Sequence, residues 1–362
     1  MLAETDAAAI AETLPPPAGA FEKLPKWLNL VPMVAQWTWL GVRHGSVTLP
    51  SCANPGITAG GLVGEGKLEY FAGMGPVARA ATAEHIGVHS HAGQTVDAIL
   101  DRLVEAGLAF PLVAKPDLGW CGYGVQRLDS ADHLANYLQE FPRDETFLLQ
   151  RLLREPGEAG LFYMRDPCAA SGELIGVLLR ALPAVHGNGR DSIARLVAAD
   201  TRLARAAAAG AHAFRIDGER VPAAGERVVL STVASTRAGG AYLDGTHLVT
   251  PALVAAVDAV ARDMGGDFTV GRFDVRYSDH AALQRGEFTI MEVNGAGSEA
   301  VHAWDPKYRI RDVYRIVFAK QRRLFRIGAE QRRRGHRPIG IAALARLYWR
   351  QQRLIGRYPV SN

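Results

Sequence analysis

The stretch Phe110-Pro-Leu-Val-Ala-Lys-Pro-Asp-Leu-Gly-Trp-Cys-Gly-Tyr-Gly-Val125 decides how this chain should fold. Its apolar residues 110–114 predict a buried strand that ends at Lys115, and a glycine-rich loop follows the lysine directly. Because glycine has no Cβ, the backbone N–H groups of such a loop are open to a phosphate group, and the lysine adds positive charge. The segment therefore predicts contact with the phosphates of a nucleotide.

Two further polar stretches, Arg272-Phe-Asp274-Val-Arg276 and Glu292-Val-Asn294, predict a site for a divalent cation. Side chains two positions apart on a strand share a face, so Glu292 lies beside Asn294, and Arg272 beside Asp274. Carboxylate and amide oxygens are ligands that suit Mg²⁺. We predict that Asp274, Glu292 and Asn294 bind Mg²⁺, with a plain salt-bridge cluster around the two arginines as the alternative.

The bulk composition is that of an ordinary soluble protein with room for two or three domains. The chain has 362 residues, of which 48% are hydrophobic and 22% charged. Cys52, Cys121 and Cys168 are scattered and odd in number, so they predict neither a disulfide framework nor a metal-binding spacing. A cytoplasmic location is the simplest interpretation. Residues 1–14 lack the basic segment of a signal peptide.

Two other segments have a marked composition. Residues 27–42 are apolar but too few for a membrane span, and they contain Pro32 and Gln36, so we predict a buried or interfacial helix. Residues 307–362 contain 16 Lys and Arg against two acidic residues, although the net charge of the whole chain is only +4. This basic tail is either a solvated helical face on an acidic body or a surface for an anionic substrate, partner or membrane. No DNA-binding signature accompanies it.

Strands and helices alternate along the chain with an antiparallel character, which predicts the α+β class. Apolar spacing predicts helices over 94–107, 132–141 and 251–264, and long basic helices follow residue 306, with a break near Gly335 and Pro338. The segment Gly122-Tyr-Gly124 is not a dinucleotide fingerprint, because a lysine precedes it and no suitably placed acidic residue follows about 20 residues later.

Taken in order, these motifs resemble those of ATP-grasp ligases, in particular the D-alanine–D-alanine ligase and cyanophycin synthetase branches. The strand to Lys115 and its loop resemble the family's central strand and phosphate loop, and Phe147-Leu-Leu-Gln-Arg-Leu-Leu153 resembles the hinge that holds adenine. Residues 179–196 are similar to a cyanophycin-synthetase segment, with Asn188 in place of the usual aspartate. Residues 272–274 and 292–294 match the metal-binding strands. The likeness covers roughly 67–305.

The resemblance implies an ATP-grasp fold, in which two α+β subdomains clasp ATP. We predict a disordered N-terminus at 1–20, a short pre-grasp-like region at 21–85, a small subdomain at 86–155, a large subdomain at 156–306 and the basic helical tail at 307–362. The N-terminal region is shorter than the family's usual pre-grasp domain. The tail has no counterpart that aligns with the family.

The resemblance also implies an activity, which is an ATP- and Mg²⁺-dependent ligation of a carboxylate to an amine through an acyl phosphate, with release of ADP and phosphate. Two Mg²⁺ ions are expected, and Mn²⁺ is an alternative. An ATP-grasp kinase, a carboxylate–thiol ligase and a non-catalytic nucleotide-binding scaffold remain open. The substrates are small molecules, with an amino acid or peptide suggested by Arg165, Arg180 and Arg237. A homo-oligomer is possible.

The resemblance assigns roles to further residues. It places Lys67, Lys115, Gly119, Gly122 and Gly124 at the ATP phosphates, and Gln150, Arg151, Leu153 and Glu158 at the adenine and ribose. The catalytic residues that it implies are Arg272, Arg180 and Ser298: the arginines would stabilise charge on the transferred phosphoryl group, and Ser298 would bind an acceptor carboxylate. Glu299 or His302 would bind or deprotonate an amine. Ordinary structural roles remain the alternatives, including a helix N-cap at Ser298.

Overall fold

The computed structural model describes residues 19–208, 216–231 and 239–361. Most of the predicted disordered segment 1–20 lies outside these ranges, as does Arg237. The described residues form a four-stranded sheet, a five-stranded sheet and a small two-stranded sheet, all antiparallel, with helices packed against them. The α+β class predicted from the sequence is therefore confirmed.

The first described part of the chain is helical. It contains α1 (Ala20–Lys23), α2 (Lys26–His44), two 3₁₀ turns at Leu49–Cys52 and Thr58–Gly61, α3 (Lys67–Ala72) and α4 (Pro76–Ala80). Gly45, with a φ of 72°, ends α2 in the left-handed conformation that glycine adopts without strain. The helix predicted for residues 27–42 is thus present, and it lies at the surface rather than in the core. Among the described residues, none of the helices combines the length and the apolar character that a membrane span requires.

The four-stranded sheet holds the predicted phosphate loop. Its strands, in the spatial order β1-β4-β2-β3, are β1 (His85–His89), β2 (Leu112–Pro116), β3 (Gln126–Leu128) and β4 (Thr146–Arg151). Helices α5 (Val96–Glu105) and α6 (Ala131–Glu140) share a core with this sheet, as their apolar spacing predicts. The hydroxyls of Thr95 and Ser130 cap their first turns. The glycine-rich loop connects β2 to β3, and β3 is the strand at one edge of this sheet.

The five-stranded sheet holds the predicted cation-binding strands. Its strands, in the order β11-β10-β5-β6-β9, are β5 (Gly157–Met164), β6 (Glu173–Ala181), β9 (Ala241–Asp244), β10 (Val270–Tyr277) and β11 (Thr289–Asn294). Helices α9 (Pro251–Asp263) and α10 (His280–Gln284) accompany it. One face of the sheet packs against α9 and against α3, with Tyr70, Leu253, Val257, Phe273 and Ile290 in the core. The other face carries buried apolar residues such as Phe162 and Leu178, and beside them the polar residues of the site described below.

A small unit branches from the five-stranded sheet. Strands β7 (Ala184–His186) and β8 (Arg227–Val229) pair with each other, and α7 (Ile193–Ala199) and α8 (Thr201–Ala208) lie between them in the sequence. Ser192 caps α7, as the Asp-Ser pair in the sequence predicts. Val185, Ile193, Leu203 and Val228 give the unit a small core of its own.

The basic tail forms two helices, α11 (Ile310–Arg333) and α12 (Ile341–Ile355), with the predicted break between them. A short 3₁₀ turn, Val301–Trp304, precedes them. α11 packs beside α2, where the Trp37 and Phe325 rings meet edge to face at 5.0 Å. On its other side, Arg323 pairs with Glu173 and Arg334 with Asp267. Part of the tail therefore lies on acidic residues of the body, which is one of the two predicted alternatives.

Candidate active site

The predicted cation-binding residues lie on two paired strands. β10 and β11 run antiparallel, with Asp274 opposite Glu292 and Arg272 opposite Asn294. Residues directly opposite each other in such a pair share a face of the sheet, with Cβ atoms about 5 Å apart. Nδ2 of Asn294 donates to Oδ2 of Asp274 at 3.2 Å. The structure therefore brings the three predicted ligands and Arg272 together on one face.

Asp274 is the buried centre of this group. Its Oδ1 accepts from Nε of Arg272 at 2.7 Å, and its Oδ2 accepts from Nη2 of Arg272 at 2.9 Å and from Nη2 of Arg180 at 3.1 Å. Burial raises the pKa of the Asp274 carboxyl, but the guanidinium groups of Arg180 and Arg272 outweigh burial and hold this pKa below its ordinary value. Asp274 is therefore an anion at neutral pH.

A second carboxylate, Glu158 on β5, joins two arginines. Nη1 of Arg180 lies 3.0 Å from its Oε1, and Nη2 of Arg276 lies 2.9 Å from its Oε2. Burial lowers the pKa of Arg180, but Asp274 and Glu158 outweigh burial and raise it. Both oxygens of Glu158 thus contact arginines in this structure, and its predicted role at the ribose hydroxyls stays a prediction.

Two lysines reach this group from outside the five-stranded sheet. Nζ of Lys115, at the end of β2, donates to Oε1 of Gln150 at 2.7 Å and to the carbonyl of Met291 at 3.5 Å. Nζ of Lys67, at the start of α3, lies 3.7 Å from Oε1 of Glu292. Burial lowers the pKa of Lys115 to about 8, and the nearby Glu292 carboxylate opposes this shift. The two sheets therefore meet at this cluster.

Positive groups outnumber negative groups where the two sheets meet. Five cationic side chains, those of Lys67, Lys115, Arg180, Arg272 and Arg276, lie near the carboxylates of Asp274, Glu158 and Glu292. The carboxyl of Glu65 is a fourth acidic group, near Lys67 and Glu292, and burial raises its pKa to about 7, so it is partly neutral at physiological pH. Most of these groups are at least partly withdrawn from water, where charge interactions are stronger than in bulk solvent. The remaining excess of positive charge suits a polyanion such as a triphosphate.

The glycine-rich loop lies against the end of Lys67. A Cβ at Gly119 would lie 2.6 Å from Nζ of Lys67, and this Nζ is also 3.5 Å from the carbonyl of Asp117. Gly122 and Gly124 have φ angles of 75° and 71°, in the left-handed region that glycine adopts without strain. Trp120 is 54% exposed at the loop surface. The role predicted for the loop, closure over phosphates, requires these close approaches.

The end of the basic tail holds this loop from outside, which the sequence does not indicate. Three loop carbonyl groups accept hydrogen bonds from tail side chains: Leu118 from Tyr358 at 2.7 Å, Gly119 from Gln351 at 3.0 Å and Gly122 from Ser361 at 2.7 Å. The Tyr358 ring also stacks on Phe141 in the core of the four-stranded sheet, with centroids 5.5 Å apart. The tail thus anchors the loop to the four-stranded sheet.

The predicted hinge lies at the end of β4. Gln150 is buried, and its Nε2 has no hydrogen-bond partner among the described residues, while its Oε1 accepts from Lys115. The backbone N–H of Arg151 donates to the carbonyl of Glu84 at 3.0 Å, so this N–H is already in use. Leu153 is buried. Among the described side chains of the hinge, the amide of Gln150 has an unmet donor.

The loop after β11 does not form the helix N-cap that was the alternative for Ser298. Ser298 does not cap a helix, since the 3₁₀ turn begins at Val301 with Ala300 at its N-cap, and Oγ of Ser298 is buried with no partner among the described residues. His302 is buried against Phe162, with ring centroids 5.0 Å apart, and burial lowers its pKa to about 4. A histidine in such packing is neutral at physiological pH.

Two features of this site are not predicted from the sequence, and they are the pairing of Arg276 with Glu158 and the position of Lys320. Arg276 lies opposite Glu158 in the pairing of β10 with β5, a register that single-sequence patterns do not reveal. Lys320 of α11 donates to the carbonyl of Ser298 and lies near Glu299 and Arg272; burial lowers its pKa to about 8. One signal exists for Lys320: it is a lysine among arginines and apolar residues in the amphipathic sequence of the tail.

Comparisons with known proteins give structural likenesses only. No protein-family model matches the chain, and no curated protein does. A D-alanine–D-alanine ligase from Bacillus anthracis is similar over 75% of this chain and 68% of its own, with 15% identity and a TM-score of 0.42. The D-cycloserine synthetase DcsG is similar over 72% and 70%, with 13% identity and a TM-score of 0.40.

A bifunctional glutathione synthetase from Pasteurella multocida is also similar, with 17% identity and a TM-score of 0.37. The likeness covers 70% of this chain but only 36% of the synthetase, so the chain spans about a third of that protein. Another structure of the Bacillus anthracis ligase, similar over 72% of this chain, is a complex with ATP.

Proposed function

We propose that the chain is an ATP-dependent ligase that joins a carboxylate to an amine through an acyl phosphate. The observation that carries the proposal is the meeting of Lys67 and Lys115 with Asp274 and Glu292 where the two sheets meet, in a group with more basic than acidic side chains. The motifs at these positions, in the same order along the chain, are those that resemble ATP-grasp ligases.

The nucleotide would lie between the two sheets. The ammonium groups of Lys67 and Lys115 and the N–H groups of the glycine-rich loop suit its phosphates. The buried Nε2 of Gln150, which has no partner among the described residues, supplies a donor for an acceptor nitrogen of adenine. An unmet buried donor costs about 1–3 kcal/mol, so a ligand that accepts from it gains specificity.

Asp274, Glu292 and Asn294 would hold Mg²⁺, because their hard oxygens fit this ion. The described residues contain no group of three or more His, Cys, Asp or Glu side chains that could hold a metal. The proposed set is of another kind, because it combines two carboxylates with the amide of Asn294. Asp274 accepts from Arg180 and Arg272, so a cation would compete with both arginines for its oxygens. When bound, Mg²⁺ would neutralise charge on the phosphates.

The proposed reaction has two steps. A carboxylate oxygen of the acid substrate attacks the γ-phosphorus of ATP, the bond to ADP breaks, and an acyl phosphate forms. The amine then attacks the acyl carbon, the bond to phosphate breaks, and an amide forms with loss of a proton from nitrogen. Arg272 and Arg180 would stabilise the transferred phosphoryl group and the oxyanion of the second step, because the protein supplies positioning and charge neutralisation.

The acceptor side of the site would be formed by the loop after β11. The buried Oγ of Ser298 and the ammonium group of Lys320 suit a substrate carboxylate, and Glu299 suits an amine. His302 is the weaker candidate for the amine, because packing against Phe162 keeps it neutral and enclosed. The substrates would be small molecules such as an amino acid or peptide. A cytoplasmic location and a homo-oligomer stay predictions.

The experiment is a screen of phosphate release from Mg-ATP with amino acids and small carboxylates, each with and without an amine. A ligase releases ADP and phosphate only with both substrates, and hydroxylamine intercepts its acyl phosphate as a hydroxamate. A thiol in place of the amine identifies a carboxylate–thiol ligase. A kinase forms ADP without free phosphate, and a scaffold forms neither.

Two variants test whether the turnover depends on the residues of this site. Asp274→Asn removes the central carboxylate, and turnover should fall on the order of 100-fold or more, as for other losses of transition-state stabilisation. Asp101→Asn makes the same chemical change on the exposed side of α5 and should leave turnover unchanged. Full activity of Asp274→Asn would end the proposal.

A further inference from the structure

Helix α2 presents an apolar face to solvent. Trp27, Val31, Val34, Trp39 and Val42 are 54–76% exposed, and their spacing places them on one side of a helix of 19 residues. At 1.5 Å per residue the face from Trp27 to Val42 is about 23 Å long. Single exposed apolar side chains are ordinary, but a continuous patch of this kind marks an interaction surface.

The side of α2 that faces the protein carries both apolar and polar residues. Trp37 and Leu40 pack with Phe325, Nδ2 of Asn29 donates to the carbonyl of Phe21 at 3.0 Å, and Nε2 of Gln36 donates to the carbonyl of Phe318 at 2.9 Å. A surface helix normally buries its apolar residues on such a side and exposes polar residues on the other. The outward apolar residues are therefore not explained by packing within the described part of the chain.

The charged residues of α2 are all basic, and the neighbouring helix adds further basic residues. The sequence of α2 contains no Asp or Glu, and the guanidinium of Arg43 lies 5.5 Å from the Trp39 ring. α11, which packs beside α2, carries an exposed row of arginines at spacings of four and seven residues: Arg311, Arg315, Arg322, Arg326 and Arg333. Such spacing places the row on one side of α11. Arg311 and Arg315 pair with Asp312, and Arg333 with Glu330, so Arg322 and Arg326 are the members of the row without an ion pair among the described residues.

We propose that α2 and the arginine row of α11 dock the protein on an anionic lipid surface. An apolar helix face with tryptophans and flanking basic residues lies in the interface plane, with its apolar side among the acyl chains and the cations at the headgroups. A second copy of this chain would bring another arginine row into the same assembly, which costs charge repulsion. A surface of negative headgroups complements both features at once.

Cosedimentation of the full chain with lipid vesicles tests the proposal. We expect binding to phosphatidylcholine vesicles that contain phosphatidylserine, and much weaker binding to phosphatidylcholine alone. The double variant Val31→Glu/Val34→Glu should lose binding by about tenfold or more, because it places charge on the inserted face. Arg322→Glu/Arg326→Glu should weaken binding to the anionic vesicles, at roughly fivefold per neutralised arginine and more on charge reversal.

Matched controls distinguish docking from a general change of surface. Val104→Glu alters an exposed valine of α5, and Arg195→Glu alters an exposed arginine of α7; both should bind vesicles as the unaltered chain does. ATP affinity should be equal in all variants, which shows that the fold is intact. The proposal is overturned by a wild-type chain that does not cosediment with anionic vesicles. It is also overturned by a dimer in sedimentation velocity that Val31→Glu/Val34→Glu dissociates while vesicle binding persists.

Discussion

At the residue scale, burial and a neighbouring charge have opposite effects on the pKa of Lys115. Burial lowers its pKa to about 8, while the nearby carboxylate of Glu292 favours the protonated form. A pKa near 8 means that the side chain is cationic at pH 7 and largely neutral at pH 9. Phosphates attract only the cation, so the affinity for ATP should depend on pH across this range.

We expect the Kd for ATP to rise on the order of tenfold between pH 7 and pH 9, because the lysine must then take up a proton to bind. Lys115→Arg keeps its charge throughout and should show weaker binding with a smaller pH dependence, which comes from the Glu65 carboxyl, whose pKa burial raises to about 7. Isothermal titration calorimetry at pH 7, 8 and 9 measures both proteins. A flat Kd for the wild-type chain would mean that Lys115 does not contact the phosphates.

Lys320 makes a second prediction at this scale. Its ammonium group lies at the carbonyl of Ser298, near Arg272, on the proposed acceptor side of the site. Lys320→Met should raise KM for the carboxylate-bearing substrate by about 10- to 100-fold, the cost of one charge-assisted hydrogen bond, and leave the Kd for ATP unchanged. Arg322→Met removes a positive charge from the exposed side of the same helix and serves as the control. Equal KM values in the two variants would remove Lys320 from the site.

At the element scale, the sequence predicts what depends on local pattern. The helices α5, α6 and α9 lie within two residues of their predicted bounds, because apolar spacing and caps at Thr95, Ser130 and Thr250 act within one turn. The ion pair of Arg276 with Glu158 depends on strand register between residues more than a hundred positions apart. No local pattern encodes such a register.

The contact between the tail and the glycine-rich loop is another non-local feature. Tyr358→Phe keeps the ring on Phe141 but removes its hydrogen bond to Leu118, and Ser361→Ala removes the bond to Gly122. The double variant should raise KM for ATP several-fold, since each bond contributes about 1 kcal/mol to holding the loop.

The same double variant should leave the core intact, because both changes remove only a hydroxyl group at the surface of the loop. Tyr348→Phe, at an exposed position of α12, is the matched control. Steady-state kinetics and limited proteolysis of the loop measure the two effects. An unchanged KM for ATP together with unchanged proteolysis would show that the tail contacts do not order the loop.

At the scale of the whole molecule, the candidate site is divided between two bodies. Lys115 and Gln150 belong to the four-stranded sheet, and Asp274 and Glu292 to the five-stranded sheet. The convergence of these groups depends on how the sheets pack, which neither stretch of sequence determines by itself. The motifs nevertheless indicate that these groups converge. A lysine, a glycine-rich loop and paired carboxylates can bind a single ligand only if they lie close together.

A nucleotide that contacts both bodies should stabilise them together. Mg-ATP at about 100 times its Kd adds about 2.7 kcal/mol to the free energy of unfolding, which raises Tm by roughly 2 °C or more in a protein of this size. Lys115→Ala removes a contact from one body and Glu292→Gln from the other, and each should abolish most of the shift at the same ATP concentration. Arg195→Gln, on the small unit of α7, should keep the full shift. A differential scanning measurement in which Lys115→Ala keeps the shift but Glu292→Gln loses it would place the nucleotide on the five-stranded sheet alone.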